Sequence, residues 1–423
     1  MLRGPCGWIC YPTDSTCMAR IFPFQPYRYS PAAGPLEHLV TQPYDKISPE
    51  MQARYLALSP FNLVRLILGE RFDSDNESHN VYTRAAGFLN DWIGRGTLVR
   101  DAEPSLFAYF QDFCVPDTGE RLSRHGFIGL GAVEDYSAGV VHRHEQTLSG
   151  PKKDRLELLL HTHAHFGQIF MLYPDPEGQV DGLLAESAQA QPTAAVTDEY
   201  GAHHRLWKIA EPARIDAIRS LMADKKLLIA DGHHRYETAL AFHNENPHLP
   251  GASHVMMTFV NMHSPGLKIL ATHRLVSGLA NFEGSDFLRR AGGVFTVERV
   301  GQLHQVPQGS IGAAIGNQLY LLRLKQPSDK LDVPILHELI LRDLLGITEE
   351  AVRAEQNLRY VRGIDKAIEA ARKGEAQIAF LLRPTAIEDV ARISFSGGVM
   401  PQKSTDFYPK LLSGLTIYKV DNM

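Results

Sequence analysis

The sequence predicts an α+β fold with more than one domain. Short runs rich in aromatic and β-branched residues, typical of strands, are interspersed with runs whose apolar residues recur at helical spacing. At 423 residues the chain is longer than one hydrophobic core usually serves. Its hydrophobic content of 44% and charged content of 22% are ordinary for a globular protein.

The charge pattern bears on the class of partner. The formal net charge is −5, and acidic and basic residues are interspersed along the chain. This pattern argues against a broad basic surface, so we do not expect a nucleic-acid partner. No apolar run in the sequence is long enough to span a bilayer, so we expect no membrane partner.

Residues 1–17 differ from the rest of the sequence. The stretch MLRGPCGWICYPTDSTC contains Cys6, Cys10 and Cys17, but neither a Cys-x-x-Cys pair nor a fourth ligand at the spacing of a zinc site. Because Met18 begins a more natural start, we expect residues 1–17 to be a disordered extension. The extension lacks the basic region and long apolar stretch of a signal peptide, and cysteines are few, so the expected compartment is the cytoplasm.

Residues 18–140 are predicted to form an N-terminal mixed α/β domain. The pattern predicts a helix in TRAAGFLNDWIGRGTLVRD, which glycines close, followed by strands in SLFAYFQDF and HGFIGLGAVEDY.

Residues 141–262 are predicted to form the core of the protein. Helices are expected in DRLELLLHTHAHF, ARIDAIRSLMAD and RYETALAFHNEN, and strands in QIFMLYPD, HRLWKI, KKLLIA and HVMMTFVNM. Residues 174–202 are rich in Gly, Ala, Pro and Gln, which predicts a surface insertion.

Residues 263–423 are predicted to form a C-terminal α+β domain. Strands are expected in LKILATHRLV, NQLYLLRL, QIAFLLRP and LTIYKV, and helices in LDVPILHELILRDLL and IDKAIEAARKG.

The stretch IADGHHRYETA combines a strand, a glycine and the start of a helix. The first amides of a helix lack intrahelical partners and carry partial positive charge, so such a turn can hold phosphate. Gly232 lets the backbone approach the phosphate, and Arg235 can add a bidentate contact. Asp231 would repel phosphate, so its place is explained if it binds Mg²⁺ or caps the helix. The alternative is that Asp231 is only a cap and that His233 and His234 lie on the surface.

A second segment, VVHRHEQTLSGPKKDR, supplies a candidate general base. It contains His144, Glu145 and Thr147, followed by a basic helix start with Lys152 and Lys153. The alternative is a solvated loop before an amphipathic helix, which is the common role of a run of charges.

Three further segments carry weaker signals. Pro43–Tyr44–Asp45 is either a turn near the site or a structural loop, and the loop is slightly favoured. Lys403, Ser404 and Thr405 in MPQKSTDFYPK are suited to a carboxylate or phosphate, or belong to a docking segment. Residues 203–205 face either the cleft or the solvent.

From Met18 to its end, the chain resembles the domain-of-unknown-function 1015 family. The matching stretches, in family order, are PYDKISPE, HEQTLSGPKKDR, HRLW, IADGHHRYETA and MPQKSTDFYPK. DGHHRYETA is also similar to the phosphate-binding box of the ParB and sulfiredoxin fold, and within that fold to the box of free serine kinases. The resemblance implies a ParB/sulfiredoxin-like nucleotide-binding core in residues 141–262, flanked by additional mixed α/β domains.

The same resemblance implies residue roles and a cofactor. Glu145 would be the base toward a hydroxyl substrate. Gly232, His233, His234 and Arg235 would hold the phosphates of ATP or ADP, with Asp231 on Mg²⁺. The implied catalytic set is Glu145, Asp231 and His233, and the implied substrate-binding set is His144, Thr147, Lys403, Ser404 and Thr405. This chain departs from the compact kinases by an insertion between the two motifs and by its flanking domains.

Three functions compete at this point. The first is a nucleotide-dependent kinase for a small hydroxyl metabolite, possibly free L-serine, whose partners are the nucleotide and that substrate, with a homodimer left open. The second is a metal-dependent hydrolase or phosphatase using His161, His163 and His165, although the preceding leucines favour a helix, on which alternate residues diverge. The third is a ParB-like nucleotide-binding regulator, against which the acidic net charge and the lack of a clear helix-turn-helix weigh.

Overall fold

A computed structural model describes residues 19–145 and 149–422. The expected extension 1–17 and the candidate residue Thr147 lie outside the described residues. In chain order, the elements up to the second motif are β1 (Ile21–Phe22), β2 (Tyr27–Tyr29), α1 (Pro49–Leu58), α2 (Val64–Ile67), α3 (Val81–Gly94), β3 (Leu98–Arg100), β4 (Leu106–Cys114), β5 (Arg121–Ala132) and β6 (Val141–His142). The helix and the two strands predicted in this part of the chain correspond to α3, β4 and β5.

Local signals account for α3. Asn80 accepts from the backbone amides of Tyr82 and Thr83, and the Thr83 hydroxyl accepts from the Asn80 amide, which is a complete capping box. Val81, Ala85, Leu89 and Trp92 recur at helical spacing and are buried.

The central part of the chain contains α4 (Ser149–Thr162), β7 (Ala164–His165), β8 (Ile169–Tyr173), α5 (Gln179–Ser187), β9 (Ala194–Thr197), β10 (His203–Ile209), α6 (Pro212–Met222), β11 (Leu227–Asp231), α7 (His233–Glu245) and β12 (His254–Asn261). The prediction of a surface insertion at 174–202 is wrong. This segment forms α5 and the strand β9, and Val180 and Leu184 of α5 are buried in the core, which its Gly- and Ala-rich composition conceals.

The remaining elements are β13 (Lys268–Ile269), β14 (His273–Val276), α8 (Gly284–Ala291), β15 (Phe295–Val300), β16 (Ser310–Ile315), β17 (Gln318–Leu324), α9 (Asp332–Ile335), a π-helix (Leu336–Arg342), α10 (Glu349–Arg353), β18 (Leu358–Val361), α11 (Ile364–Arg372), β19 (Ile378–Leu381), α12 (Ile387–Phe395), β20 (Phe407–Tyr408) and β21 (Tyr418–Lys419). The single strand predicted in LKILATHRLV is instead two short strands, β13 and β14.

A nine-stranded mixed sheet organises the first two thirds of the chain. Its order is β6-β11-β8-β12-β5-β4-β10-β9, with β1 paired to β5. The pairs β11–β6 and β12–β8 are parallel, and the others are antiparallel. Because β4 and β5 lie in the middle of this sheet, the boundary predicted between residues 140 and 141 does not separate two sheets. Strands that are distant in sequence pair in this sheet, and local sequence patterns do not reveal which strands pair.

A second, antiparallel sheet of six strands has the order β15-β17-β16-β19-β14-β18. The end of the chain leaves this sheet, since Leu411, Leu412, Leu415 and Tyr418 pack in the core of the nine-stranded sheet. The predicted C-terminal domain of residues 263–423 is therefore wrong at its far end. The mixed α/β class is confirmed, while the ParB/sulfiredoxin-like nature of the core stays a prediction. None of the helices within residues 19–145 and 149–422 has the length and apolar character needed to cross a bilayer.

Candidate functional site

The candidate site is a cleft of about 590 Å³ between the two sheets. The end of β11 and the start of α7 form one wall, together with Glu145 and the 3₁₀ turn Tyr44–Lys46. Residues 359–362, at the end of β18, and the loop that carries Lys403 and Lys410 form the other. Titratable side chains of both signs line this cleft, so it is suited to a charged ligand.

The segment from β11 to α7 has the predicted order of strand, glycine turn and helix. Gly232 adopts φ +97° and is the N-cap of α7, and it provides no side-chain cap. The first intrahelical bond runs from the Tyr236 amide to the Gly232 carbonyl (2.9 Å), so the amides of the preceding residues are the N-terminal amides of the helix. His233 and His234 line the cleft at this point. The turn therefore has the local geometry of an anion site.

Asp231 is held between two cations. Its Oδ2 accepts from Arg235 Nη2 (2.7 Å), and its Oδ1 lies 3.2 Å from Lys410 Nζ. Burial on its own would raise the pKa of the Asp231 carboxyl, but Lys410, Arg235 and Lys46 together hold that pKa well below its ordinary value. The carboxylate is therefore ionised and already neutralised.

This arrangement does not support the two roles expected of Asp231. Since Gly232 is the N-cap, Asp231 does not cap α7. Both of its carboxylate oxygens face a cation, so Mg²⁺ does not fit there in the observed arrangement. In the described part of the chain, no group of three His, Cys, Asp or Glu side chains is placed to hold a metal ion.

Arg235 is also engaged within the protein. Besides its bond to Asp231, its Nη1 donates to the Gln168 carbonyl. Its guanidinium packs on Gly232 so closely that a Cβ added there would lie 3.0–3.1 Å from it. The bidentate phosphate contact expected of Arg235 is thus absent from this arrangement of the side chain and would require it to release Asp231.

His144 and His233 form a buried pair behind the turn, with ring centroids 4.6 Å apart. His144 Nδ1 bonds to the Ile229 carbonyl (2.7 Å), which only accepts, so Nδ1 carries the proton and Nε2 accepts from the Thr405 hydroxyl (2.7 Å). Burial lowers the pKa of His144 to about 4, and burial is also the largest cause that lowers the pKa of His233 well below its ordinary value. Both rings are therefore neutral near pH 7.

The expected roles of these histidines change accordingly. Both nitrogens of His144 are occupied and its side chain is fully buried, so it ties β11 to the Thr405 loop instead of contacting a substrate. His233 lines the cleft but is buried, and its Nε2 lies 3.5 Å from the His144 amide. His234 lines the cleft and is partly exposed.

Glu145 lies in the same cleft as Asp231, as predicted from the sequence. Its backbone forms an isolated bridge with Met400, and its Oε1 accepts from the Lys403 amide (3.3 Å). Burial raises the pKa of the Glu145 carboxyl above its usual value, while the Lys403 charge and amide oppose the shift. A partly buried carboxylate of raised basicity at the wall of a polar cleft is chemically suited to accept a proton.

The three candidate residues of the 403–405 loop differ in their access to the cleft. Lys403 and Thr405 line the cleft. No carboxylate of the described residues lies within ion-pair distance of the Lys403 ammonium. Ser404 is buried and its hydroxyl donates to the Pro401 carbonyl (2.6 Å), so the expected substrate contact is not seen for this residue. The turn at Pro43–Tyr44–Asp45, slightly favoured as a plain loop, reaches the cleft through Tyr44 and Asp45.

A chain of alternating charges crosses the cleft, and sequence analysis missed most of it. Asp406 binds Arg362 through both oxygens and also lies 3.2 Å from Lys410, which in turn binds Asp231. The order of this ion-pair chain is Arg362, Asp406, Lys410, Asp231 and Arg235. Asp406 and Lys410 stand in the segment MPQKSTDFYPK, in which only Lys403, Ser404 and Thr405 were predicted to contact a ligand. Lys46 was missed in the same way beside Tyr44 and Asp45.

The three histidines of the hydrolase alternative do not converge. His161 bonds to the Glu157 carbonyl (2.8 Å), His163 pairs with Asp421 (2.7 Å) and His165 stacks on Tyr418. His161 lies in α4, His163 follows it, and His165 belongs to β7, so the alternation is split between elements. This arrangement gives the metal-dependent hydrolase no ligand set from these residues.

Comparison with known proteins places the chain in a family. The family model described as protein of unknown function, DUF1015, matches residues 21–342. A comparison with curated proteins gave no significant match.

Similar solved structures are remote. A conserved hypothetical protein from Pyrococcus furiosus is 14% identical with a TM-score of 0.36, covering 67% of this chain and 93% of its own. A free serine kinase in complex with AMP is 13% identical with a TM-score of 0.35, covering 65% and 89%. C-terminally truncated SbnI from Staphylococcus aureus is 10% identical with a TM-score of 0.35, covering 68% and 87%. These likenesses assign no activity to the chain, whereas the family match spans most of it, and the chain belongs to the DUF1015 family of proteins of unknown function.

Proposed function

We propose that this protein is a nucleotide-dependent kinase that transfers a phosphoryl group from ATP or ADP to the hydroxyl of a small metabolite. The observation that carries the proposal is the shared cleft of Glu145 and the Gly232 turn. Glu145 contributes a candidate base, and the Gly232 turn contributes a candidate phosphate site. The fold brings the two into one cleft although 86 positions separate Glu145 from Asp231 in the sequence. Free L-serine is a candidate acceptor.

The phosphate end of the cleft is built from amides and cations. Phosphoryl transfer asks the protein mainly to position the reactants and to stabilise charge. The N-terminal amides of α7 supply partial positive charge at Gly232, and Lys46 and Lys403 line the same cleft with ammonium groups. Arg235 and Lys410 are engaged with Asp231, and Lys46 Nζ lies 3.5 Å from Asp45 Oδ2, so we assign the first contacts with phosphate to the amides and Lys403.

Glu145 is assigned the role of base. As the hydroxyl oxygen of the acceptor bonds to the terminal phosphorus, the bond from that phosphorus to its bridging oxygen breaks. The hydroxyl proton passes to the Glu145 carboxylate. A pKa raised by burial strengthens the carboxylate as a base, provided that it stays ionised at the working pH.

The proposal is tested by binding and turnover together. Calorimetry with ADP and ATP measures binding to the full chain, and nucleotide consumption is then measured against a panel of small hydroxyl compounds that includes L-serine. We expect nucleotide binding and consumption that depends on one class of acceptor. Nucleotide binding without turnover on any acceptor would favour a regulatory nucleotide-binding protein, and no binding of either nucleotide would contradict both functions.

A further inference from the structure

The ion-pair chain gives the cleft a direction. At one end Arg235 packs on the Gly232 turn, and at the other Arg362 follows the edge strand β18. Tyr200 lines the cleft together with Arg362, whose charge opposes the rise in the pKa of the Tyr200 phenol that burial causes. A ligand that lies along this chain would therefore meet the helix N-terminus at one end and an aromatic ring at the other.

Tyr200 is the unusual residue of this end. It lines the cleft although its side chain is 55% exposed. None of the other large apolar side chains that are exposed in the described ranges lines the cleft. The exposed face of this ring is therefore available to stack on a planar ligand in the cleft.

The turn that carries Tyr200 is rigidly held. Asp198 Oδ1 accepts from the amides of Tyr200 and Ala202 (2.9 Å each). Asp198 Oδ2 accepts from Gln42 Nε2 (3.1 Å) and lies 3.3 Å from Nε2 of the fully buried His204.

Two further contacts fix this turn from behind. His204 Nδ1 bonds to the Tyr109 hydroxyl (2.6 Å), so the imidazole is fixed at both nitrogens. Glu199 accepts from the Tyr55 hydroxyl. Because the backbone on either side of Tyr200 is already ordered, a ligand that stacks on the ring pays little further ordering entropy.

We propose that Tyr200 stacks on the base of a nucleotide whose phosphates lie at the Gly232 turn. The inference rests on the proposed function and adds the nucleobase subsite to it. Aromatic side chains stack on any base, because every base has a π-face, so this subsite provides affinity for nucleosides without selecting among them. It also distinguishes a nucleotide from a simple phosphate ester as the donor.

The test compares two probes on the full-length protein. ADP reports the whole site, and inorganic pyrophosphate reports the phosphate end alone. We expect Tyr200→Ala to weaken ADP binding by roughly 5- to 150-fold and to leave pyrophosphate binding unchanged. Tyr200→Phe keeps the ring and should bind ADP like the wild type. Phe72→Ala, which removes an exposed ring outside the cleft, is the matched control and should alter neither affinity.

The outcomes separate the two hypotheses. If Tyr200→Ala binds ADP as the wild type does while both proteins bind pyrophosphate, the nucleobase subsite is wrong and the phosphate site stands. If the wild type binds neither ADP nor pyrophosphate, the proposed function fails and the subsite fails with it. A loss of pyrophosphate binding in Tyr200→Ala would also overturn the inference, because it would place the ring at the phosphate end.

Discussion

Lys410 Nζ lies 3.2 Å from Asp231 Oδ1, joining two residues 179 positions apart in the sequence. The ammonium is buried and also lies 3.2 Å from Asp406 Oδ1, so one cation bridges two acids. Burial would lower the pKa of Lys410, but Asp231 and Asp406 raise it above its ordinary value. The contact fixes the C-terminal segment to the end of β11, beside the turn that we assign to phosphate.

Removing this cation should destabilise the fold strongly. Lys410→Met leaves Asp231 and Asp406 with fewer positive partners in a mostly buried site, and breaking a buried pair in this way typically costs about 3–5 kcal/mol. We expect the free energy of unfolding, measured by denaturant titration, to fall by that order. The matched control is Lys330→Met, since Lys330 pairs with Glu338 at the surface and such pairs contribute about 0–1 kcal/mol. Equal losses in the two variants would show that the buried site contributes no more than an exposed pair.

The acid limb of stability should depend on Asp406. Burial would raise the pKa of this carboxyl, but Lys410 and Arg362 lower it to about 2. A carboxyl whose pKa is depressed by folding contributes stability above its unfolded pKa of about 3.9, and the contribution is lost as pH falls through the folded value. We therefore expect the free energy of unfolding to fall between about pH 4 and pH 2, with Asp406 accounting for on the order of 2 kcal/mol.

Asp406→Asn tests this assignment through the slope of the free energy of unfolding against pH. The variant should lose less stability than the wild type between pH 4 and pH 2, whatever its stability at neutral pH. Asp224→Asn, at an exposed position, should keep the slope of the wild type. Identical slopes in all three proteins would contradict a role for Asp406 in the acid limb.

The elements with strong local patterns were predictable from the sequence. The alternation and composition around β4, β5 and β10–β12 predicted strands, and the glycine after an apolar run predicted the turn at Gly232. Glu145 was found because it stands in a motif that resembles a known kinase pattern. Each of these signals is contained in a short stretch of adjacent residues.

The remaining features depend on contacts between distant segments. Lys410 and Arg362 reach the site through strand pairing and the return of the chain end, which no local pattern records. Tyr200 lies in the segment that was interpreted as a surface insertion. The pairing of Asp231 with Arg235 was within reach of the sequence, because residues four apart near a helix start commonly form ion pairs, but both were assigned to ligands instead.

Gly232 should be intolerant of a side chain. Its φ of +97° lies in a region that costs an L-residue roughly 1–2 kcal/mol, and a Cβ would press on the Arg235 guanidinium. Gly232→Ala should lower the free energy of unfolding by that order. Gly182→Ala is a control for which we expect a change of opposite sign, because Gly182 lies inside α5 and a Cβ there meets no described atom within 4 Å. It should stabilise the protein by about 0.8–1 kcal/mol, and destabilisation by both variants would contradict the conformational argument.

The assignment of Glu145 as base makes a prediction for turnover. Glu145→Gln keeps the size of the side chain but cannot accept a proton, and general-base catalysis is commonly worth about 10²–10⁴-fold in rate. We expect kcat to fall by that order while the nucleotide affinity, measured by calorimetry, stays near that of the wild type. Unchanged turnover would remove Glu145 from the chemistry and leave only the phosphate end of the proposal.

The pH profile tests the same assignment through Lys403, whose charge lowers the pKa of Glu145 while burial raises it. A base acts only as the carboxylate, so the rate is lost as pH falls through the pKa of Glu145. Lys403→Met removes the opposing charge, and the pKa should rise further. The acid limb of kcat, measured at saturating nucleotide, should therefore move to higher pH, whereas Lys403→Arg keeps the charge and should hold the limb in place. Because saturation removes any loss of phosphate affinity from kcat, a limb that stays fixed in Lys403→Met would mean that the group titrating in the rate is not Glu145.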